Sequence, residues 1–392
     1  MRAIKDEVSR ELVENILPFW MKRMPDGSGG FIGRIDGKGL PHPDAERGAI
    51  LNARILWTFS SAWRILKKQE YRTTAEMAYH YITSCFIDRD FGGVHWSLNP
   101  DGTPKDSKKQ FYAIAFTTYA LSEYYRACGD GKALEEAVGL YRSIERHSLD
   151  TARGGYLEAC TREWGPIEDM RLSDKDRNDA KTMNTHLHVL EGYTALYRVW
   201  KDESLAMALK GMIGIFTDRI IQSDGHLGLF FDENWNPTTS AVSYGHDIEA
   251  SWLLCEAAEV LGDEKLTAKV KKAALRIAEA SLEGFTTEGG MEYEYDSSSG
   301  ERNSSRAWWV QAETVVGCVN CFPLPGDEIW MERALAQWEV IRRHLVCPDG
   351  EWYWSALPSG GGFIPNTEDD RAGFWKCPYH NGRMCMELME RL

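Results

Sequence analysis

The chain has 392 residues, 43% of them hydrophobic and 27% charged, the composition of a folded globular protein. Its formal net charge of −14 at pH 7 argues against a nucleic-acid partner, whose phosphates call for clustered Lys and Arg, and favours a neutral substrate over a polyanion. No apolar run approaches the roughly 20 residues of a membrane span, and Met1-Arg2-Ala3-Ile4-Lys5-Asp6-Glu7 carries no apolar signal core, so a cytoplasmic location is expected.

A first helix is predicted near 3–22, followed by the glycine mark GGFIGRIDG around Gly30 and a helix pair at 47–67 and 71–86. The mark GGVHWSLNPDG around Gly93 precedes a pair at 108–128 and 131–147, and GGYLEAC around Gly155 precedes one at 180–201 and 203–221. DGHLGLFFDENWN around Gly225 leads to 244–262 and 264–283, and GGMEYEYDSSSG around Gly290 leads to 305–322 and 327–345. DGEWYWSA around Gly350 and a last helix near 377–391 complete the set. The marks recur at intervals of 63, 62, 70, 65 and 60 residues, the signature of a repeat architecture. Each alternating run after a mark reads as a short β-hairpin or extended loop.

The helix after each long loop is apolar on two sides. In the third, Leu187, Leu190, Thr194 and Tyr197 form one stripe and Val189, Tyr193, Leu196 and Trp200 another. A helix apolar on two sides is packed on two sides, whereas DESLAMALKGMIGIFTDRII has one polar face and reads as an outer helix. The expectation is an all-α (α/α)6 barrel of six inner and six outer helices, one domain over 1–392, with short β-hairpin loops at one mouth. An open α-solenoid is the competing arrangement; the long aromatic loops favour closure. The nine scattered cysteines suit a reducing compartment, and Cys318 with Cys321, the one C-x-x-C, reads as buried structure rather than a zinc or redox site.

If the long loops share a mouth, the first turns of the inner helices open onto it and carry Arg54, Tyr112, His188, His246, Trp309 with Glu313, and His380. His246 and Glu249 are three apart and share a helix face, the arrangement of a histidine made basic by a carboxylate. Trp252 lies a further step round. His186 and His188 point apart on a helix and there is no H-E-x-x-H, so no metal is expected. Trp309 and Glu313 are four apart, and with Trp308 they read as an exposed sugar platform beside a hydroxyl partner. Arg54, in an apolar helix, must be paired or face a polar cavity.

Five stretches, GAILNARILW, KTMNTHLHVLEGYT, GHDIEASWLL, RAWWVQAE and FWKCPYHNGR, stand in order on the right repeats. On them the chain, from Trp20 to the final helix, resembles the N-acylglucosamine 2-epimerase superfamily and, within it, the cellobiose 2-epimerases. The resemblance implies the (α/α)6 fold and a reaction without cofactor or metal. That reaction inverts C2 of the reducing-end residue of a β-1,4-linked disaccharide (cellobiose to glucosyl-mannose, lactose to epilactose) by ring opening and proton transfer through an enediolate. It makes His246 and His380 the acid/base pair, His188 and Arg54 the groups holding the reactive oxygens, and Glu249 the support of His246. Trp308, Trp309 and Trp375 become sugar contacts, with Tyr112, Asp176, Asn184 and Glu313 as hydroxyl partners; Trp252, a step round the helix from His246 and Glu249, is expected beside the substrate as well. Alternatives remain: an N-acylglucosamine 2-epimerase or aldose–ketose isomerase of the same superfamily, an inverting glycoside hydrolase using Glu249 and Glu313, or a non-catalytic sugar-binding barrel. The partner is expected to be a small sugar, and a monomer and a homodimer are both compatible with the sequence.

Overall fold

The computed structural model describes residues 2–287, 289–322 and 328–392. Burial separates two kinds of helix in it. Every residue from Ala49 to Ala62 of α3 (Ala49–Leu66) is buried, as is every residue from Phe111 to Tyr124 of α5 (Phe111–Cys128). The same character runs through α7 (Met183–Val199), α9 (Tyr244–Leu261), α11 (Trp308–Cys321) and α13 (Tyr379–Arg391). Helices covered on all sides have to be inside. By contrast α6 (Gly131–His147) buries one stripe, Ala133, Ala137, Leu140, Tyr141 and Ile144. The other outer helices are α4 (Gln69–Tyr81), α8 (Glu203–Ile215), α10 (Glu264–Ser281) and α12 (Glu328–His344). A sixth outer unit runs from α1 (Arg2–Arg10) through a π-helical segment, Glu11–Ile16, into α2 (Leu17–Arg23).

The six inner helices pack in sequence, α3 on α5, α7, α9, α11 and α13 in turn, and α13 returns to α3. That last contact closes the ring, so the repeats form an (α/α)6 barrel and not an open solenoid. Each outer helix lies on an inner one, with α1 against α13 and α4, α6, α8, α10 and α12 against α3, α5, α7, α9 and α11. Cys318 and Cys321 of α11 lie in the apolar core, as their sequence context suggests. The predicted helix 327–345 is seen as Glu328–His344, residue 327 being outside the described residues. No helix among the described residues is long and apolar enough to cross a membrane.

The glycine marks are turns, each closed by a single antiparallel bridge: Pro25–Phe31, Ile87–Val94, Leu149–Tyr156, Ile221–Leu227, Phe285–Met291 and Val346–Trp352. Beyond three of the turns the alternating text forms the expected local hairpin, Ser97–Leu98 with Pro104–Asp106, Glu294–Asp296 with Arg302–Asn303 and Ser355–Ser359 with Gly362–Pro365. It also pairs with the residues just before the preceding inner helix: Ser97–Leu98 with Arg47–Gly48, Ala159–Cys160 with Lys109–Gln110, Phe230–Phe231 with Lys181–Thr182, and Glu294–Asp296 with Ala241–Ser243. Neighbouring repeats are thereby stitched together, and Ile35 with Ala372 does the same across the ring closure.

A cation just before most inner helices locks the turn below it. Arg47 meets Asp26, Lys109 meets Asp88 at 2.7 Å, Lys181 meets Asp150 at 2.8 Å and Lys376 meets Glu351 at 2.5 Å, all with buried or nearly buried partners. In the fourth repeat the position is Val242, and Asp247 of α9 instead receives the Leu227 N–H and His226 Nδ1.

Candidate active site

The start of an inner helix has N–H groups with no intrahelical partner. Here the first is taken by a carbonyl of the following repeat: Ala49 N–H by Trp96, Phe111 by Glu158, Met183 by Leu229 and Trp308 by Trp354. Backbone does the capping, and first-turn side chains are left to face the mouth. Close approach between helices then brings them together. A Cβ on Gly245 would lie 2.7 Å from the Trp309 ring and Val310, so only glycine lets α9 come near enough for His246 to rest against Trp309, with ring centroids 4.7 Å apart. Trp309 also contacts His380 at 5.7 Å.

His188, His246 and His380 each engage Nδ1 from behind and leave Nε2 without a partner among the described residues. His188 Nδ1 lies 2.9 Å from Glu191 Oε2, His380 Nδ1 2.7 Å from Glu313 Oε1, and His246 Nδ1 2.8 Å from Ser243 Oγ. An ionised carboxylate only accepts, so the network assigns the ring proton of His188 and His380 to Nδ1 and a lone pair to Nε2. Burial pushes all three rings toward the neutral form. His246 is held down at about 3, with the charge of His188 adding to burial and Glu313 opposing it. His380 is lowered by burial, Arg54 and Arg383, and His188 by burial against the pull of Glu191.

Beneath the histidines sits a fully buried block. Arg383 Nη2 donates to Glu249 Oε1 and Glu313 Oε1, each at 2.7 Å, and Nη1 contacts Glu191 Oε1 and the Tyr379 hydroxyl. Burial and the neighbouring Glu313 charge push Glu249 up to about 8. Of the two, Glu313 is the ionised one, since its oxygens accept from His380, Arg383 and, at 3.0 Å, Trp252 Nε1. Burial also works against Glu191, but the Arg383 charge and the His188 hydrogen bond outweigh it and bring the group down to about 2. Arg54 donates to the Tyr112 hydroxyl at 3.0 Å and to the Trp375 carbonyl at 3.4 Å, its guanidinium 4.3 Å from the Phe116 ring centre. Tyr112 and Phe116 in turn pack on His188.

The structure corrects four assignments. Glu249 does not support His246; it turns to Arg383 and lies 4.0 Å from His380, while Ser243 holds His246. Glu313 is not a free hydroxyl partner, because both its oxygens are committed. Trp252 is buried under Arg383 with its N–H spent on Glu313, so it positions rather than contacts. Trp308 is a buried wall between Trp354, Lys376 and His380, not an exposed platform, and Trp309 keeps only 9% exposure. The remaining positions stay at the mouth. Asn184 lies one turn before His188, its Oδ1 buried without a partner. Half-buried Trp375 packs on Tyr112 and Trp96. Asp176 accepts from the Ser173 N–H and hydroxyl, and its charge helps push up Tyr293 and Glu294, so it stands beside the ring that edges Trp309. His186 is structural: its Nε2 accepts from Tyr156 N–H, and its ring lies 2.9 Å from where a Cβ on Gly155 would stand.

Glu191, Tyr379 and Arg383 escaped the sequence reading. Glu191 was visible in principle, since it stands three after His188 as Glu249 does after His246.

Glu249, Glu313 and His380 place ligand atoms within 4.8 Å of one another, a spacing suited to a cation. The guanidinium of Arg383 supplies positive charge at both carboxylates. A separate cavity of about 250 Å³ opens at the opposite end of the ring, among Arg64, Glu123, Arg198, Glu256, Glu387 and Arg391. Its ionic groups pair with one another, as in Arg64–Glu123 and Arg198–Glu256, and it holds no histidine.

The pattern of the N-acylglucosamine 2-epimerase (GlcNAc 2-epimerase) family matches residues 30–367. The chain is 54% identical over 98% of both chains to a cellobiose 2-epimerase of Bacteroides fragilis, and 40% identical over 98% of both to one of Ruminococcus albus. The solved structure of the cellobiose 2-epimerase from Bacillus thermoamylovorans superposes with a TM-score of 0.94 at 38% identity, covering 100% of each chain. A closed ring of six helix pairs, three histidines at one mouth and these likenesses along the whole length agree: the chain belongs to the N-acylglucosamine 2-epimerase family and is an isomerase of sugars.

Proposed function

We propose that this chain, as one catalytic barrel, inverts C2 of the reducing-end residue of a β-1,4-linked disaccharide, converting cellobiose to glucosyl-mannose and lactose to epilactose. The observation that carries the reading is the set of three histidines, His188 and His380 buried and His246 partly exposed, whose Nδ1 atoms are held from behind while Nε2 is unengaged among the described residues. The proton on C2 beside an aldehyde is weakly acidic and needs a placed base and a stabilised oxyanion. After ring opening, one of His246 and His380 takes the C2 proton, and the C–H electrons move into C1–C2 to give the enediolate. The other, charged beforehand by a proton taken from water at its Nε2, delivers that proton to the opposite face as those electrons return and is left neutral, so in turnover the pair carries one proton beyond its resting state and that proton changes sides. Arg54 holds the oxyanion, the Nε2 lone pair of His188 accepts from a neighbouring hydroxyl of the open chain, and the Glu249 carboxyl keeps a proton within the cluster near neutrality. No step calls on a cofactor.

The hydrolase alternative loses support on geometry. An inverting pair of carboxyls stands roughly 6.5–9.5 Å apart to admit a water, whereas Glu249 and Glu313 bring oxygens within 4.8 Å and share a guanidinium nitrogen. Cellobiose incubated with the protein in deuterium oxide tests the proposal by NMR. Glucosyl-mannose with deuterium at C2 is expected; glucosyl-fructose, free glucose or unchanged cellobiose would point to isomerase, hydrolase or binding barrel respectively.

A further inference from the structure

The geometry points to Arg383 as a positioning residue that sets ring-proton placement in both His188 and His380 from behind, by gripping the carboxylates that hold their Nδ1–H groups. The inference rests on the epimerase reading and adds to it a group that touches no substrate. Arg383 is fully buried, with its guanidinium 4.6 Å from the Trp252 ring centre and 4.3 Å from that of Tyr379. It reaches Glu191 on α7, Glu249 on α9 and Glu313 on α11 from its own helix, α13. Glu191 then meets His188 with its other oxygen, and Glu313 Oε1 is shared between Arg383 and His380. Two histidines on different helices therefore rest on one cation. A planar fork with five donors can span three carboxylates; a lysine ammonium on a flexible stem cannot hold them in the same geometry.

The groups facing this block are Arg54 of α3, Tyr112 and Tyr119 of α5, His188 and Glu191 of α7, His246 and Glu249 of α9, Glu313 of α11, and Tyr379 and His380 of α13. Besides Arg383, the one lasting positive charge among them is Arg54, which is turned to Tyr112. Without Arg383 the three carboxylates lose their common counter-charge and become harder to ionise. A protonated Glu313 or Glu191 no longer fixes the ring proton on Nδ1.

The test combines kinetics with 15N NMR of histidine-labelled full-length protein. Wild type is expected to show His188 and His380 as neutral Nδ1–H rings. Arg383→Met should show mixed tautomers, kcat down roughly 100-fold with KM nearly unchanged, and the acid limb of kcat moved up by about 1–3 pH units. Adding Glu249→Gln should leave that limb where Arg383→Met puts it, since Glu249 is already protonated there and the limb belongs to Glu313 and Glu191. Arg383→Lys keeps the charge without the fork, so its limb should stay near wild type while kcat falls. If Arg383→Met does not fold, the lysine and double variants carry the same comparison. Folded variants with wild-type tautomers, kcat and pH profile would overturn the proposal. The tautomer measurement needs no turnover, so it decides this point even if wild type fails to epimerise cellobiose.

Discussion

The barrel buries charge in two places, and the two differ in stoichiometry. Around the collar each carboxylate has at least one cation of its own and the pairing repeats with the fold: Arg47 with Asp26, Lys109 with Asp88 (which Arg162 also holds), Lys181 with Asp150, Lys376 with Glu351. In the centre one guanidinium serves Glu191, Glu249 and Glu313, and nothing there repeats. A balanced pair is inert across pH because each charge is answered. An unbalanced block must take up or share protons, which is what raises Glu249 to about 8 and lets histidines sit at its edge. The repeated charges hold the ring; the unrepeated ones are those to which the proposed chemistry falls.

That contrast predicts a graded set of outcomes. The largest is expected at the two transfer groups: His246→Ala and His380→Ala should each cost on the order of 10⁴ in epimerisation rate, since either leaves one face of C2 without a proton carrier. Efficient intramolecular return of C2 deuterium to the epimer would instead mean a single base serving both faces. His188→Ala should cost roughly 10² by freeing the substrate hydroxyl that its Nε2 holds, read as kcat with folding checked by circular dichroism.

A smaller effect separates the proton state of the block. Glu249 holds its proton below about 8 and loses it above, so activity that uses the protonated form is present at neutrality and falls as pH rises through that value. Glu249→Gln mimics the protonated carboxyl and should flatten the alkaline limb while staying within about 10-fold of wild type near neutrality; Glu249→Ala should do worse. An unaltered alkaline limb in the glutamine variant would place the titration elsewhere. The least effect on chemistry is expected at the collar. Asp88→Asn strands buried Lys109 and should lower stability by roughly 3–5 kcal/mol in chemical denaturation, yet leave kcat per folded molecule unchanged. A matching loss of kcat would erase the distinction between the two regions.

The sequence revealed what repeats and hid what does not. Paired glycines at positive φ, such as Gly92 with Gly93 and Gly154 with Gly155, punctuate the chain at near-constant spacing, and inner helices without a polar face follow from burial on all sides. The histidines were legible for the same reason, standing near the starts of inner helices, although His188 lies in the second turn of α7 while His246 and His380 lie in the first turns of α9 and α13. The wiring between them was not. His188–Glu191 and His246–Glu249 have identical spacing, yet only the first pair forms, because spacing makes two residues neighbours while partners on other helices decide which contact is made. Glu249 goes to Arg383, 134 residues away in sequence, and no local pattern announces a bond of that span. The misplaced tryptophans share this origin: at first-turn positions, a ring that walls the site and a ring that lines it read alike.

One helix joins the two regions. α13 closes the ring by packing on α3, and it also carries Tyr379, His380 and Arg383. On the proposed mechanism, ring closure and catalytic competence are therefore a single docking event, not two properties that mutation or heat can separate. Fraying of this one segment would extinguish turnover while five inner helices still gave a full helical spectrum. Heat inactivation should accordingly run ahead of the bulk melting transition, with amide exchange in α13 as its timer.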